Sequence, residues 1–485
     1  MVSFVIYNDN YNNIFKMSFW KTTAIYGIGF LCLRAISFLL LPLYTNLLSQ
    51  HDVGWIFIIY TLLAFLNVLY IHGMNASLFK FFHSYNHKEV ITSSILYSII
   101  YGLCLSACLF IAYCCYIKIS NNSSQHMLVA IILSIAFLDM ISSRNSIVLR
   151  LLERPYYYLF VCFMNVISSL AFNIYFIQFC DLGLLGAINA LICVSLMQFM
   201  LLSPVMLSFC RIKFFNISLL GQMLRFGIAF FPAALFLVLI EMSDRWMLGY
   251  LRNINDVGLY GAGYKIGSII LLLVNSFNLN WQPYYLKLGI KRGVATFENI
   301  GEHFILILLS LSTLLSILWP IVFQLNIGPY HIIGSSFWEG GHIVPIICVS
   351  YIFYGLFILQ MPSIYLKEKQ SWAPFFWGLG FVVNFISNCI LIPSFGIYGA
   401  AYATLLAYCT MSVLLVYKNR VWLPIKYPIK KITVFGLCSF LSYVFSQFIY
   451  QSNSLQYIYL LVFVYSFFAL WYIYNTSKRL LPELY

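Results

Sequence analysis

The sequence contains few charged residues for its length. Only 8% of its 485 residues are Asp, Glu, Lys or Arg, whereas 62% are hydrophobic and 19% are aromatic. A soluble domain could not cover so much apolar surface with so few charges. The composition therefore excludes a soluble globular protein and predicts an all-α polytopic membrane protein.

Motifs that carry a defined chemistry are also absent. The sequence has no G-x-x-x-x-G-K-[ST] phosphate-binding loop, so the chain itself is not expected to hydrolyse ATP. Its 13 cysteines include no C-x-x-C pair and show no metal-site spacing, which is typical of small core residues. We therefore expect no metal, no cofactor and no enzymatic activity.

The placement of the basic residues is typical of a membrane protein rather than of a nucleic-acid-binding protein. The net charge is +13, and most of the 27 lysines and arginines fall in alternate loops between apolar runs, as expected of cytoplasmic loops. Only Lys118, Arg245 and Arg252 fall in the intervening outer loops. This alternation predicts an even number of spans, both termini in the cytoplasm and no nucleic acid as a partner.

Apolar runs of about 20 residues mark the membrane spans. We predict fourteen of them, separated by polar residues, proline or glycine. They cover residues 22–47, 55–74, 90–116, 127–149, 156–180, 185–208, 226–248, 257–284, 303–325, 342–365, 373–393, 396–417, 431–450 and 455–475. The seventh span is the weakest because it ends in Glu241 and Asp244.

A phrase that occurs twice indicates an internal repeat. Asp52-Val53-Gly54 follows the first span and Asp256-Val257-Gly258 follows the seventh, each at an outer loop, and Tyr60 and Tyr264 follow at equal distance. A second match pairs Gly183, Gly186, Ala187 and Ala190 with Gly396, Gly399, Ala400 and Ala403. Such a repeat is typical of transporters built from two half-bundles around a shared cavity.

The repeat and the spans together predict two parallel six-helix lobes plus two C-terminal helices. The predicted parts are a cytoplasmic tail (1–21), an N-lobe (22–208), a cytoplasmic inter-lobe loop (209–225), a C-lobe (226–417), and the last two spans with the cytoplasmic C-terminus (418–485). Two lobes with the same orientation imply a pseudo-twofold axis along the membrane normal.

Three segments resemble a known family of membrane exporters. Arg34 to Gly54, read as RAISFLLLPLYTNLLSQHDVG, is similar to the opening of the Wzx-type oligosaccharide flippases of the MATE-like superfamily. Ser243 to Gly249 resembles the seventh span of those proteins, and Leu391 to Ala401 resembles their turn into the twelfth. The resemblance covers most of the chain.

The resemblance implies a MATE-like fold of about 14 transmembrane helices in the bacterial inner membrane. It implies that the protein moves undecaprenyl-pyrophosphate-linked oligosaccharides to the outer leaflet, for O-antigen or other surface polysaccharide synthesis, by alternating access. Its partners would then be the lipid-linked oligosaccharide and membrane lipids, with the polymerase and chain-length proteins of the same pathway as further candidates.

Cations near mid-span are candidates for the functional site, since each costs about 2.5–3.5 kcal/mol on insertion scales. Arg34 in span one and Lys265 in span eight are predicted to line a cationic lumen that accepts a pyrophosphate. Arg144 in span four is a third candidate, with snorkelling to the headgroups as the alternative.

Uncharged polar residues in the spans are candidates for contacts with sugar hydroxyls. Ser268 and Asn275 continue a polar stripe along span eight from Lys265. Asn384 and Asn388 lie four residues apart on span eleven, where hydrogen bonding between helices is the alternative role.

Glu241, Asp244 and Arg245 form a charged cluster at the outer end of span seven. They are candidates for coupling transport to protons, sodium or the membrane potential. A structural ion pair at the water boundary is the alternative.

Two other functions compete with the flippase. A membrane polymerase of the same pathway is expected to carry a large external catalytic loop, but the longest outer loop here covers only 326–341. A MATE-like, cation-coupled exporter of small molecules is expected to place a carboxylate in the N-lobe, but span one carries Arg34 instead. The first difference argues against a polymerase, and the second favours an anionic substrate over a cationic drug.

Overall fold

The computed structural model describes residues 19–82, 84–118, 126–452 and 455–477. These residues are helical apart from loops and one hairpin, in which β1 (Asn326–Ile327) pairs with β2 (Tyr330–His331), so the predicted all-α class is confirmed. The helices are α1 (Phe19–Leu47), α2 (Gln50–Ile71), α3 (Met74–Phe81), α4 (His87–Lys118), α5 (His126–Leu151), α6 (Pro155–Asn173), α7 (Gly183–Phe209), α8 (Ile217–Ile228), α9 (Phe231–Leu251), α10 (Ile254–Gly267), α11 (Ile269–Gln324), α12 (Val344–Leu359), α13 (Pro362–Leu366), α14 (Ala373–Phe395), α15 (Ile397–Trp422), α16 (Ile429–Gln451) and α17 (Leu455–Ser477).

Shorter helical segments occur between these helices. A π-helical segment covers Ile174–Phe179, and 3-10 segments cover Ile212–Phe214, Ser335–Ile343 and Gln370–Trp372. The predicted cytoplasmic tail, except its last three residues, and the end of the C-terminal segment after residue 477 lie outside the described residues.

The helices agree with the predicted number of spans. Twelve helices of the described residues are long and apolar enough to cross a membrane, and two bent helix pairs raise the number to fourteen. The bent pairs are the predicted seventh and eighth spans: α8 and α9 meet at 42°, and α10 and the first part of α11 meet at 46°. Gly289, with φ 69° and ψ −173°, separates the eighth span from the ninth within α11.

The repeated phrases begin helices. Asp52 and Asp256 lie in the first turns of α2 and α10, where a carboxylate interacts favourably with the helix dipole. Ser49 Oγ accepts a hydrogen bond from the Asp52 amide at 3.1 Å, and Asn253 Oδ1 accepts one from the Asp256 amide at 2.8 Å. The phrase predicted at an outer loop therefore occupies a capped helix N-terminus.

The second sequence match is reproduced in the backbone. Gly183 at the start of α7 and Gly396 between α14 and α15 have φ angles of 54° and 55°, which residues with a side chain rarely adopt. A β-carbon at Gly186 would lie 2.8 Å from a backbone oxygen, and one at Gly399 would lie 2.3 Å from another. Equivalent glycines therefore form equivalent turns, which supports the repeat.

Internal contacts divide the chain into two compact units. Among the described residues, the first unit contains those up to Leu48 together with Ile59–Leu235, and the second contains Ser49–Ile58 and those from Phe236 onward. The start of α2 therefore belongs to the second unit. The lobe boundaries drawn from the repeat remain predictions.

Each unit has its own apolar core. In the first unit, α5 packs on α7 around Ala136 and Ile188, and α3 packs on α8 around Leu78 and Met223. In the second unit, fully buried alanines on α15, such as Ala403, let neighbouring helices approach closely.

The last two helices pack on α11 and expose large apolar side chains. Ile317, Ile449 and Ile458 form one buried cluster between these helices. Phe440 on α16 and Phe467 on α17 are 61% and 68% exposed. Exposed aromatic residues on spanning helices are expected where lipid is the solvent, and the chain is a multi-pass membrane protein.

Candidate functional site

Arg34 lies in α1 with an exposed side chain. Ile28 and Leu31 are 48% and 53% exposed along the same helix, and the Ser37 hydroxyl donates to the Arg34 carbonyl oxygen at 3.1 Å. A guanidinium exposed within an apolar span is costly against lipid and acceptable in a water-filled cavity. The exposed position is compatible with the predicted lumen role, which remains a prediction.

Lys265 is half-buried in the last turn of α10, directly before the 46° bend. The Ser268 hydroxyl donates to the Lys265 carbonyl oxygen at 2.7 Å, and Asn275 is half-buried further along, in α11. A cation at the C-terminal end of a helix interacts favourably with its dipole, and broken spans are where transporters bind polar groups. The predicted polar stripe therefore follows a bent span rather than one straight helix.

Arg144 is 1% exposed and is held entirely within the first unit. Its Nε donates to Ser98 Oγ at 3.0 Å, its Nη2 donates to the Ile71 carbonyl oxygen at 3.2 Å, and its Nη1 donates to Asn75 Oδ1. The guanidinium therefore caps the C-terminal end of α2 and joins α2, α3, α4 and α5. This geometry favours a structural role over both the predicted lumen role and snorkelling.

Asp244 and Arg245 form a buried ion pair inside the second unit. Arg245 Nη1 lies 3.3 Å from Asp244 Oδ1, and the side chains are 7% and 0% exposed, respectively. The same nitrogen donates to the Glu241 carbonyl oxygen at 2.7 Å, and the Tyr260 hydroxyl donates to the second Asp244 oxygen. The guanidinium carbon lies 4.4 Å from the centroid of the Tyr264 ring.

This pair corrects two expectations. Arg245 is expected in an outer loop and the pair at the water boundary, but both residues lie inside α9 and are buried. The helix continues past them because each charge neutralises the other and tyrosines surround both. Glu241 is half-buried one turn earlier in the same helix, so the charged cluster exists, and its coupling role remains a prediction.

Asn384 and Asn388 on α14 are fully buried. Asn388 Nδ2 donates to Asn384 Oδ1 at 3.0 Å, and the Ser243 hydroxyl of α9 donates to the same oxygen at 3.2 Å. Asn384 Nδ2 and Asn388 Oδ1 have no hydrogen-bond partner among the described residues. The two asparagines therefore connect helices and lie next to the helix segment that carries Asp244.

The first unit contains an uncharged polar network that the sequence did not predict. The Tyr44 hydroxyl donates to Asn173 Oδ1 at 2.8 Å and lies 3.1 Å from the Tyr60 hydroxyl. Asn173 directly precedes the π-helical segment, and such segments are frequent at functional sites. The sequence feature that could have indicated this network is Tyr60, because it occupies the position in the repeat that corresponds to Tyr264, which lies beside Arg245.

Several solved structures have a similar arrangement of helices. The fold resembles that of the lipid II flippase MurJ in its inward closed conformation, with a TM-score of 0.74 and 14% identity over 94% of this chain and 100% of that one. It resembles an inward-facing multidrug resistance MATE family transporter of the MOP superfamily, with a TM-score of 0.61 and 11% identity over 85% and 98% of the two chains. It also resembles the Vibrio cholerae MATE transporter VcmN in the bent form, with a TM-score of 0.52 and 13% identity over 83% and 95%. These likenesses confirm the predicted MATE-like fold.

The family can be stated more narrowly than the fold. The family model described as "Polysaccharide biosynthesis protein" matches residues 19–288, which is more than half of the chain. The chain therefore belongs to the polysaccharide biosynthesis protein family. No curated protein matches it significantly. The resemblance found in the three sequence segments is confirmed at the level of family and fold.

Proposed function

We propose that this protein is a flippase for undecaprenyl-pyrophosphate-linked oligosaccharide repeat units. It moves them from the cytoplasmic to the outer leaflet of the bacterial inner membrane for O-antigen or related surface polysaccharide synthesis. The observation that carries the proposal is the match of residues 19–288 to a polysaccharide biosynthesis family, in a chain with the fold of a lipid II flippase. Alternating access is the mechanism expected of a transporter with an internal repeat.

The substrate requires a polar path. A pyrophosphate and a hydrated glycan cannot cross about 30 Å of hydrocarbon unaided. Arg34 supplies forked donors matched to phosphate oxygens, and Lys265 supplies a point charge at a helix break. Asn384 Nδ2 and Asn388 Oδ1, which have no hydrogen-bond partner among the described residues, would reach sugar hydroxyls when the helices that bury them separate during the transport cycle. These groups are the proposed contacts with the substrate.

Energy coupling is proposed to involve the charged cluster of α9. Asp244 and Arg245 neutralise each other, whereas Glu241 is half-buried one turn away. A proton or sodium ion bound near Glu241 would change the local charge during the cycle. The membrane potential alone supplies about 2.3 kcal/mol per moved charge per 100 mV. No resident cofactor is proposed.

The remaining parts of the proposal concern the surroundings of the protein. Most loop lysines and arginines fall on one side of the predicted spans, which supports cytoplasmic termini. The polymerase and chain-length proteins that extend the translocated units are proposed partners, together with membrane lipids.

Gene deletion separates the flippase from a polymerase. A strain without the flippase is expected to display almost no surface glycan, whereas a strain without a polymerase still displays single repeat units. Complementation with the full chain should restore the display. Single repeat units on the surface of the deletion strain would contradict the proposal.

Reconstitution tests the same function directly. Purified protein in vesicles is expected to move a fluorescent lipid-linked oligosaccharide between leaflets, measured as its accessibility to a membrane-impermeant quencher. Vesicles without the protein provide the control. Equal accessibility with and without the protein would contradict flipping.

One observation favours the cation-coupled exporter as a second candidate. Asp139 is a half-buried carboxylate on α5 in the first unit, and it accepts a hydrogen bond from the Ser195 hydroxyl at 2.7 Å. If the chain exports small cationic molecules, Asp139→Asn should abolish gradient-driven export of a cationic dye. If it is a flippase, the same substitution should leave no dye phenotype because the wild type exports no dye.

A further inference from the structure

The first unit contains a cavity of about 410 Å³ at the break between α2 and α3. Its wall includes His72 and Tyr97, with Arg225 at the end of α8 and with Ile228 and Phe231 on either side of the α8–α9 bend. All of these residues belong to the first unit. The cavity therefore combines aromatic, cationic and apolar surfaces within one compact body.

The wall of this cavity is held by close backbone packing. α2 ends at Ile71, where Arg144 donates to its carbonyl oxygen, and His72 and Gly73 turn the chain with φ angles of 34° and 81°. A β-carbon on Gly73 would lie 1.8 Å from the Gly227 carbonyl oxygen, so the C-terminal turn of α8 touches the turn between α2 and α3. This contact places Arg225 and Ile228 of α8 beside the aromatic wall.

The aromatic wall leaves one hydroxyl for a ligand. Tyr97 and Tyr101 stack with ring centroids 5.5 Å apart, and His72 lies 4.5 Å from Tyr101. The Tyr101 hydroxyl donates to the Leu69 carbonyl oxygen at 3.1 Å, which fixes this ring. The Tyr97 hydroxyl has no such bond among the described residues. It is the group of the wall that can donate to a bound anion.

Two further observations point to a polar ligand. His72 is 7% exposed; its Nδ1 bonds to the Tyr70 carbonyl oxygen at 3.0 Å, and its Nε2 has no partner among the described residues. A buried acceptor without a donor is costly, so a ligand hydroxyl that reaches it stabilises the bound state. Arg225 is exposed and has no acidic side chain at ion-pair distance in the described part of the chain.

The surroundings resemble a membrane surface on the side predicted to be cytoplasmic. Lys80 lies 3.8 Å from the centroid of the Phe226 ring, next to Arg225, so a second cation flanks the cavity. Ile228 and Phe230 are 53% and 48% exposed. A basic pocket between helices with an apolar rim fits an anionic lipid, whose phosphate meets the cation and whose chain meets the rim.

We propose that this cavity binds the phosphate group of a membrane lipid, with Arg225 and Tyr97 on its oxygens and Ile228 and Phe231 along its chain. The lipid is a glycerophospholipid or the polyprenyl-linked substrate. If the lipid is the polyprenyl-linked substrate, the inference rests on the proposed function.

Native mass spectrometry of the purified full chain tests the proposal with three probes. These are phosphatidylglycerol, phosphatidylcholine with the same acyl chains, and a polyprenyl monophosphate. At least one of the two anionic lipids is expected to bind at least about tenfold more tightly than phosphatidylcholine. Arg225→Gln should remove about tenfold of that affinity, since a charge-assisted hydrogen bond is lost.

The matched control is Arg211→Gln, which removes the same charge from an exposed residue of the same predicted loop. It should change the affinity less than twofold. Equal losses in both variants would show nonspecific attraction, and no loss in Arg225→Gln would show binding elsewhere. Either result overturns the proposal.

A second variant guards against a folding defect. Ile228→Trp fills the cavity without changing charge and should also weaken anionic lipid binding, and each variant is first checked for an unchanged melting temperature. If Arg225→Gln proves unstable, Ile228→Trp and Tyr97→Phe decide the outcome. Undiminished binding in both would overturn the proposal.

The two lipid sources are distinguished by which probe loses affinity in Arg225→Gln. If only the affinity for the polyprenyl monophosphate falls, the cavity is a substrate site. If only the affinity for phosphatidylglycerol falls, it is a membrane-lipid site. Binding is measured without translocation, so it can fail while flipping in vesicles succeeds. A protein that binds at this cavity but does not flip would contradict only the proposed function.

Discussion

Gly258 packs against Gly54, so the two copies of the repeated phrase meet in the second unit. A β-carbon at Gly258 would lie 2.3 Å from the Gln50 carbonyl oxygen and 3.3 Å from the Gly54 amide nitrogen. A β-carbon at Gly54 would lie 2.1 Å from the Ile254 carbonyl oxygen. The N-terminal turns of α2 and α10 therefore approach at backbone distance, which only glycine permits at both positions.

Gly258→Ala and Gly54→Ala are expected to destabilise the protein. The added methyl group would meet backbone oxygens, which cannot move without shifting a helix, and overpacking of this kind costs about 1–3 kcal/mol. The melting temperature of the purified protein measures the effect. Gly436→Ala is the control, because a β-carbon there meets no atom within 4 Å and alanine favours a helix. Equal stability of Gly258→Ala and Gly436→Ala would contradict the close approach.

Arg144→Met is expected to destabilise the first unit strongly. It leaves the Ile71 carbonyl oxygen and Asn75 Oδ1 buried without their donor, at about 1–3 kcal/mol each. Arg150→Met is the matched control, since Arg150 is an exposed residue of the same helix. Thermal unfolding of both variants checks the prediction. A stable Arg144→Met variant that no longer exports glycan would instead support the lumen role.

Most of the fold could be predicted from the sequence because membrane spans are specified by composition over about 20 residues. The number of spans and the repeat follow from apolar runs, loop charges and the matched phrases. The bends could not be predicted. The α10–α11 bend lies at Gly267-Ser268, and similar residues occur within straight helices.

The candidate site was less predictable because side-chain roles depend on partners distant in the sequence. Arg144 is buried by partners that lie at least 46 residues away in the sequence: Ser98, Asn75 and the carbonyl oxygen of Ile71, which is available because α2 ends there. From the sequence, Asp244 and Arg245 are expected at the boundary between membrane and water. Their burial depends on Tyr260 and Tyr264, whose proximity only the structure shows. Sequence spacing identified the charged residues and could not identify their neighbours.

Arg34→Ala and Lys265→Ala are each expected to abolish surface glycan export while the protein still inserts in the membrane. Each removes one of two cations proposed to contact the pyrophosphate. Glycan display and membrane abundance are measured together in a deletion strain. Arg34→Lys should retain part of the export because it keeps the charge but loses the forked donors.

Lys287→Ala is the control for Arg34→Ala and Lys265→Ala, because Lys287 is an exposed lysine of α11. It should export normally. Unchanged glycan display in both Arg34→Ala and Lys265→Ala would contradict their assignment to the lumen.

The Asp244–Arg245 pair allows its structural and coupling roles to be separated. Arg245→Met alone leaves a buried carboxylate without its cation and is expected to cost about 3–5 kcal/mol of stability. The double variant Asp244→Asn/Arg245→Met removes both charges and keeps an oxygen for the Tyr260 hydroxyl, so it should recover most of that loss. Thermal unfolding of the single and double variants gives the interaction free energy between the two residues.

Arg252→Met is the control, because Arg252 is an exposed arginine after α9, and it should change the melting temperature little. If the pair is structural, the recovered double variant exports glycan normally; if the charges couple transport to an ion gradient, it is stable and does not export.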